Sequence, residues 1–329
     1  RIHNLLDSED TRLMRQALRQ LEVELEENDG VWTVHGSNGP LYQGNGRFNL
    51  DLGLAGTAIR PLAAALTLGK GQFVLDGIER MRERPIGPLV DGLRQLGASI
   101  RYLQTEGFPP LELTGGGLQG GNVRIPGDLS SQFLTSLLMA APLAAKAVTI
   151  EILGEQISKP YLAITVHMMQ QFGITVSHQD FQHFEIEPQG YHSPGDFLVE
   201  GDASSASYFL AAGAIRGNGI TVHGLGANSV QGDLAFVDVL EAMGASVERR
   251  DTSIVVKPGQ LVGVDLDLNH IPDAAMTVAM LALFASGSTT LRNIYSWRVN
   301  ETDRLAAMIT ELRTLGATVI EGRDCLTIH

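Results

Sequence analysis

The feature that most constrains the fold is that this sequence repeats itself. Four segments end an amphipathic pattern in a glycine and run on into a β-branched stretch: "PLVDGLRQLGASIRYL", "ITVHMMQQFGITVSH", "FVDVLEAMGASVERR" and "LAAMITELRTLGATVIE". Their glycines, Gly97, Gly173, Gly244 and Gly316, are 76, 71 and 72 residues apart. Glycine after the last helical turn is the usual left-handed stop, so each segment reads as helix, turn, strand. A fifth copy, "TRLMRQALRQLEVELEE", opens the chain with Glu22 in the glycine's place.

A second, small-residue-rich segment alternates with the first: "GTAIRPLAAALTLG", "SSQFLTSLLMAAPLA", "ASSASYFLAAGAI" and "DAAMTVAMLALFA". These start at Gly56, Ser130, Ala203 and Asp273, in steps of 74, 73 and 70 residues. An alternating stretch precedes each one ("RFNLDLG", "NVRIPG", "DFLVEG", "VDLDLNH"), and another strand-like stretch follows. The repeating unit is therefore β-α-β-α-β-β, about 72 residues long. The small-residue helices are apolar nearly all round and belong inside, whereas the second helices keep a polar face and belong outside. The chain opens within a unit, at its second helix, and four further units follow. The first small-residue helix is accordingly expected before Arg1.

A chain of 329 residues with 44% hydrophobic and 19% charged residues has room for two globular domains. The formal net charge is −13, and no dense Lys/Arg run appears, which speaks against a nucleic-acid partner. Anionic small molecules remain compatible where arginines converge, because a cleft's own field can oppose the global sign. The longest apolar run, around "LLMAAPLAA", is too short to span a bilayer, and no signal peptide is visible. A cytoplasmic chain without membrane partners is the expectation. Cys325 is the one cysteine, so no internal disulfide or cysteine-based metal site is expected. It reads as a buried bystander in a strand. His178 and His183 lack a third ligand nearby and read as exposed, and "GGGLQGG" reads as a plain loop.

The chemistry concentrates at helix starts. "AGTAIR", "LSSQF", "DASSAS" and "IPDAAM" put Gly, Ser, Thr and Asp at or near four N-caps in the same register. Ordinary capping explains each one singly. Four in register, on helices pointing the same way, would gather free N–H groups and dipole ends on one surface suited to anions. The second helices begin with "RMRERPIG", "ISKPYL", "NSVQGD" and "RVNETDR". Arginine's fork suits carboxylate and phosphate, so Arg84 and Arg304 are candidate acid clamps, and Ser130, Ser131 and Ser158 candidate phosphate ligands. In "SWRVNETDR", Asn300 reads as the N-cap of the last helix, with Glu301 and Asp303 favouring its dipole.

In order and spacing, "AGTAIRPLAAAL", "RMRERPIGPLVDGLRQLGA", "SSQFLTSLLMAAPLA", "ISKPY", "EGDASSASYFLAAGAI", "NHIPDAAMT" and "LRNIYSWRVNETDRL" resemble the 5-enolpyruvylshikimate-3-phosphate synthase family, from Leu5 to the end. The resemblance implies an α/β, two-lobed enolpyruvyl-transferase fold, an inside-out α/β barrel with three such units per lobe. Residues 1–200 would form one lobe: a partial unit and two complete ones. Residues 201–329 would form two units of the other, the third being expected after His329, with a hinge near "LVEGDASS". The implied reaction moves the enolpyruvyl group of phosphoenolpyruvate onto the 5-hydroxyl of shikimate 3-phosphate. It needs no metal or organic cofactor, and the protein would act as a monomer. By resemblance, Ser130, Ser131 and Ser158 bind the shikimate phosphate, and Gln132 and Tyr161 contact its ring and hydroxyls. Gly56, Arg84 and Arg304 contact phosphoenolpyruvate, with Thr57 beside them. Asp273 takes the 5-hydroxyl proton, and Glu301, one helical turn from Arg304, is the second acid/base group.

The chain departs from the family pattern at Leu54 and Ser296, each in place of an asparagine, and at Asn300 in place of a lysine. The family's "GSKS", "NDHR" and final "KT" segments do not appear in it. Two other readings fit these departures: a non-catalytic homologue that binds small anions, and an enolpyruvyl transferase for another phosphorylated acceptor.

Overall fold

The computed structural model describes residues 1–299 and 302–329. The chain divides into two compact units, Arg1–Val199 and Glu200–His329. Each has its own hydrophobic core.

The first unit opens with β1 (Ile2–His3), α1 (Glu9–Gln20), β2 (Glu24–Asn28) and β3 (Val31–His35). Two complete repeats follow. One is β4 (Arg47–Asp51), α2 (Gly56–Ala65), β5 (Gln72–Asp76), α3 (Gly87–Gln95), β6 (Ser99–Tyr102) and β7 (Leu111–Thr114). The other is β8 (Gly121–Pro126), α4 (Ser131–Ala140), β9 (Val148–Leu153), α5 (Lys159–Gln171), β10 (Ser177–Gln179) and β11 (His183–Ile186), after which comes β12 (Phe197–Leu198). In each repeat the first strand runs parallel to the second, as a helical crossover requires. The second pairs antiparallel with the fourth, giving the orders β4-β5-β7-β6 and β8-β9-β11-β10.

The two helix types take the places their patterns dictate. Ala58, Ile59, Leu62 and Ala63 of α2, and Phe133, Leu134, Leu137 and Leu138 of α4, are buried, and α2 packs directly on α4. The outer helix α3 buries Leu89, Val90 and Leu93 while Asp91 and Arg94 face outward. Gly97 and Gly173 take positive φ after their helices, as a left-handed stop demands. Glu22 holds the same conformation at φ 65°, which costs a residue with a Cβ about 1 kcal/mol or more.

Strand β12 departs from the periodic reading. "DFLVEG" was expected to open the fourth unit, as "RFNLDLG" opens the second. Instead it joins the chain's first sheet, in the order β12-β1-β3-β2, with Ile2 opposite Phe197 and His3 opposite Leu198. There it fills the first-strand place that the opening repeat lacks. The reason is edge satisfaction: β1 presents backbone groups that need a partner. Phe197 N–H donates to Arg1 O at 2.8 Å, Val199 N–H donates to His3 O at 3.0 Å, and His3 Nε2 lies 2.8 Å from the Asp196 carboxylate.

The second unit contains α6 (Ala203–Ile215), β13 (Ile220–His223), α7 (Phe236–Ala242), β14 (Ser246–Arg249) and β15 (Ser253–Lys257). Then come β16 (Asp265–Asp267), α8 (Ala275–Leu281), β17 (Thr289–Arg292), α9 (Arg304–Thr314), β18 (Val319–Glu321) and β19 (Leu326–Ile328). The sheet β16-β17-β19-β18 keeps the repeat's order. The sheet β13-β15-β14 has three strands among the described residues, β12 having gone elsewhere.

Three local expectations change. Helix α9 starts at Arg304 with Asp303, not Asn300, as its N-cap, because the Asp303 carboxylate accepts from Ala306 N–H at 3.0 Å. Asp273 lies in a turn, two residues ahead of α8. Cys325 is half-buried and precedes β19 rather than lying within it.

Candidate functional site

In the first unit the site begins at the N-terminal turn of α2. Its N-cap, Ala55, has no capping side chain. Two buried guanidinium groups, Arg60 at 4% exposure and Arg84 at 3%, crowd over Gly56 instead. A Cβ at position 56 would lie 2.4 Å from Arg60 Nη1 and 2.8 Å from Arg84 Nη2, so only glycine leaves both arginines in place. Arg84 is delivered by a short 3-10 turn, Glu79–Glu83, and its Nη1 donates to the Leu54 carbonyl at 2.8 Å. Position 54 thus supplies this acceptor from its main chain.

Arg60 reaches across to α4. Its Nη1 donates to Gln132 Oε1 at 2.6 Å, and its Nη2 donates to the Pro85 carbonyl at 3.3 Å. The first turns of α2 and α4 therefore lie side by side. Ser130 is the N-cap of α4, its hydroxyl accepting from Gln132 N–H at 3.3 Å, and Ser131 is buried at the first helical position. Thr57 donates its hydroxyl to Asp10 on α1.

Ser158 and Tyr161 start α5, which packs on α4 through the Thr135 and Thr165 hydroxyls at 2.8 Å. Ser158 is 92% buried, being 8% exposed, and holds φ 54°, ψ 40°, a left-handed conformation unusual for serine. Such strain persists where the surroundings over-determine it, often at ligand sites.

In the second unit, Asp273 and Arg304 form an ion pair, with Arg304 Nη1 donating to Asp273 Oδ1 at 2.5 Å. The turn that carries Asp273 is anchored by Trp297, wholly buried, whose Nε1–H donates to the Pro272 carbonyl at 2.7 Å. Arg298 bridges Asp303 and Glu321, and these carboxylates hold its guanidinium above the usual arginine range. Glu301 and Asn300 lie outside the described residues. Since α9 begins at Arg304, the spacing of one turn between Glu301 and Arg304 is not a spacing within that helix.

The four small-residue helix starts are not alike. That of α6 is already occupied by protein groups: Asp202 accepts from Ser204 and Ser205 N–H, each at 3.1 Å, and Gln231 accepts from Ala203 N–H at 2.9 Å. At α6 these donors are thus already taken by neighbouring protein groups. An apolar cavity of ≈ 480 Å³ in the first unit is lined by Pro61, Ala65, Leu68, Met139 and Phe172, among others, and by no charged side chain. It touches the C-terminal halves of α2 and α4 and offers no chemistry for anions. Among the described residues, the metal-capable grouping is Glu24, Glu26 and His35, all exposed, and none of them is a candidate-site residue.

A family model described as EPSP synthase (3-phosphoshikimate 1-carboxyvinyltransferase) matches residues 1–329. The chain belongs to the EPSP synthase family. The 3-phosphoshikimate 1-carboxyvinyltransferase of Shewanella loihica is 59% identical over 331 residues, which covers 100% of this chain and 78% of the relative. That of Vibrio cholerae is 58% identical, with the same coverage of both. An EPSP synthase structure from Acinetobacter baumannii matches with a TM-score of 0.81 at 25% identity, covering 100% of this chain and 75% of that one. The chain thus has the α/β enolpyruvyl-transferase fold. The chain spans about three quarters of the length of these relatives.

Within this EPSP synthase family member, sequence reasoning missed Arg60 and Asp10. Arg60 did leave a signal: it is the one charged residue in "GTAIRPLAAAL", on a helix that is otherwise apolar all round. Asp10 left none, since an acid in a first helical turn is ordinary.

Proposed function

We infer that this chain transfers the enolpyruvyl group of phosphoenolpyruvate to the 5-hydroxyl of shikimate 3-phosphate and releases phosphate. The observation that carries this reading is the match of the whole chain to carboxyvinyltransferases at 57–60% identity. Both substrates are anions, and the chain, despite a net charge of −13, gathers Arg60 and Arg84 over one glycine.

The site roles follow the chemistry. Addition of the 5-hydroxyl to C2 of phosphoenolpyruvate requires the hydroxyl proton to leave and the methylene to gain one. Loss of phosphate then requires a proton to leave the new methyl group. We assign the hydroxyl proton to Asp273, a carboxylate acceptor, and the methylene proton to Glu301. Such groups contribute about 10²–10⁴-fold each. Gly56, Thr57, Arg84 and Arg304 serve phosphoenolpyruvate. Ser130, Ser131 and Ser158 serve the shikimate phosphate, and Gln132 and Tyr161 its ring. Arg304 has five donors, so it can keep Asp273 and still receive a substrate carboxylate. Holding the two substrates together contributes about 7–11 kcal/mol. The reading includes a monomer acting in the cytoplasm; the acidic charge and single cysteine support this, and sedimentation at two concentrations tests the monomer.

The direct test is phosphate release from phosphoenolpyruvate. Release that depends on shikimate 3-phosphate is expected. Release with a different phosphorylated acceptor, and none with this one, would move the assignment to that acceptor.

A further inference from the structure

Gln132 can meet a ligand with either end of its amide, a carbonyl oxygen or an NH2 group of nearly the same shape. The structure leaves it one choice. Arg60 Nη1 lies 2.6 Å from Gln132 Oε1, and a guanidinium carries donors only. The oxygen must therefore face Arg60, and the NH2 group is left for whatever occupies the other side. Gln132 is half-buried, so part of its side chain reaches solvent.

Arg60 cannot easily move away. Its Nη2 donates to the Pro85 carbonyl, its guanidinium lies 5.3 Å from the centroid of the Phe133 ring, and Arg84 shares the space above Gly56. Elements α2, α4 and the turn ahead of α3 hold it in common. The main chain of Gln132 is fixed as well: its N–H donates to the Ser130 hydroxyl, and its carbonyl accepts from the Ser136 hydroxyl at 2.8 Å.

We propose that Arg60 is a positioning residue that locks the Gln132 amide with its NH2 group outward, making Gln132 a donor only. The ligand atom it meets is then an acceptor: a phosphate or carboxylate oxygen, or a hydroxyl lone pair. This builds on the reading that Gln132 contacts shikimate 3-phosphate. Without the lock the amide can turn over, and part of the population presents a carbonyl oxygen to an anion.

A double-mutant cycle tests it on the whole chain, with Arg60→Met, Gln132→Leu and the pair. Arg60→Met is expected to raise KM for shikimate 3-phosphate about 10-fold to 100-fold, the size of one hydrogen bond to a charged group, and to lower kcat less. Gln132→Leu should do the same, and the double variant should be no worse than either single one. Arg60→Lys, which keeps a donor and a charge, should recover part of the loss. A second readout needs no turnover: the side-chain 15N–1H2 signals of Gln132, assigned by their loss in Gln132→Leu. They should be one sharp pair in the parent and should shift or broaden in Arg60→Met. Additive KM effects, or Gln132 signals unchanged in Arg60→Met, would overturn the lock. If the parent shows no shikimate-3-phosphate-dependent turnover, the functional reading fails, and the amide signals still decide the lock.

Discussion

Helices α2 and α4 of the first unit and α6 and α8 of the second hold the same places in the repeat, yet they are tied together differently. The first pair is joined by a guanidinium and an amide, Arg60 and Gln132. The second is joined by two hydroxyls, Ser207 and Thr277, at 2.7 Å. Both ties sit near the N-terminal turns, and both relieve buried polar groups. The difference lies in what is left over. Ser207 and Thr277 satisfy each other, Ser207 also donating to the Ser204 carbonyl at 2.6 Å, so their tie ends inside the core. The Arg60–Gln132 tie uses the Gln132 carbonyl oxygen and not its NH2 group. In the second unit the charged pair is Asp273 and Arg304, placed in a turn and at the start of an outer helix. One scaffold therefore supports a cationic cluster in one unit and an acid–base pair in the other.

The comparison can be broken most directly at Asp273. Asp273→Asn should lower kcat for enolpyruvyl transfer by about 10²–10⁴-fold, the range for losing one proton-transfer group. Shikimate 3-phosphate binding by calorimetry should change far less, and an unchanged kcat would remove Asp273 from the chemistry. Gly56→Ala probes the other unit. The atoms its methyl meets are guanidinium nitrogens of Arg60 and Arg84, so it displaces them against their bonds to Gln132, Pro85 and Leu54 rather than disturbing the main chain. KM for phosphoenolpyruvate should rise about tenfold, as for a weakened charge-assisted hydrogen bond, with the Tm little moved.

Thr277→Val sharpens the contrast between a structural tie and a functional one. It should cost on the order of 1 kcal/mol in urea denaturation and leave both KM values alone. A KM shift would mean that the hydroxyl tie also serves a ligand. Glu22→Gly compares the opening repeat with the later ones, whose glycines hold the same left-handed place. Here a gain on the order of 1 kcal/mol is expected, since glycine carries no Cβ penalty at positive φ.

The smallest effect belongs to Asp196. The hydrogen bond to His3 holds its carboxyl below the usual carboxylate range, helped by the charge on Arg1. A depressed acid stabilises the fold in full above its unfolded pKa, about 3.9, and loses that contribution as pH falls through its folded value. Asp196→Asn should therefore melt slightly below the parent at pH 7, and the gap should close as the pH drops below 4.

The legible parts of the molecule were those set by local pattern. The helix and strand order of β4 to β7 follows from alternation in "RFNLDLG", small residues in "GTAIRPLAAAL" and the glycine stop at Gly97, all short-range effects. The candidate residues Gly56, Arg84, Ser131, Asp273 and Arg304 could be named from helix starts and from resemblance. Their geometry could not, because the meeting of Arg60 with Gln132 spans 72 residues of chain.

The sequence by itself determined the repeat, its two classes of helix and its turn glycines, because periodicity and positive φ are properties of neighbouring residues. Only the tertiary structure decided that Phe197–Leu198 leaves its own repeat to complete the first sheet, that Asp303 rather than Asn300 caps the last helix, and that Gln132 shows its NH2 group. Each of those outcomes is a contest for hydrogen-bond partners, most of them far apart in the chain, and such contests are settled by which groups remain unsatisfied once the core has packed.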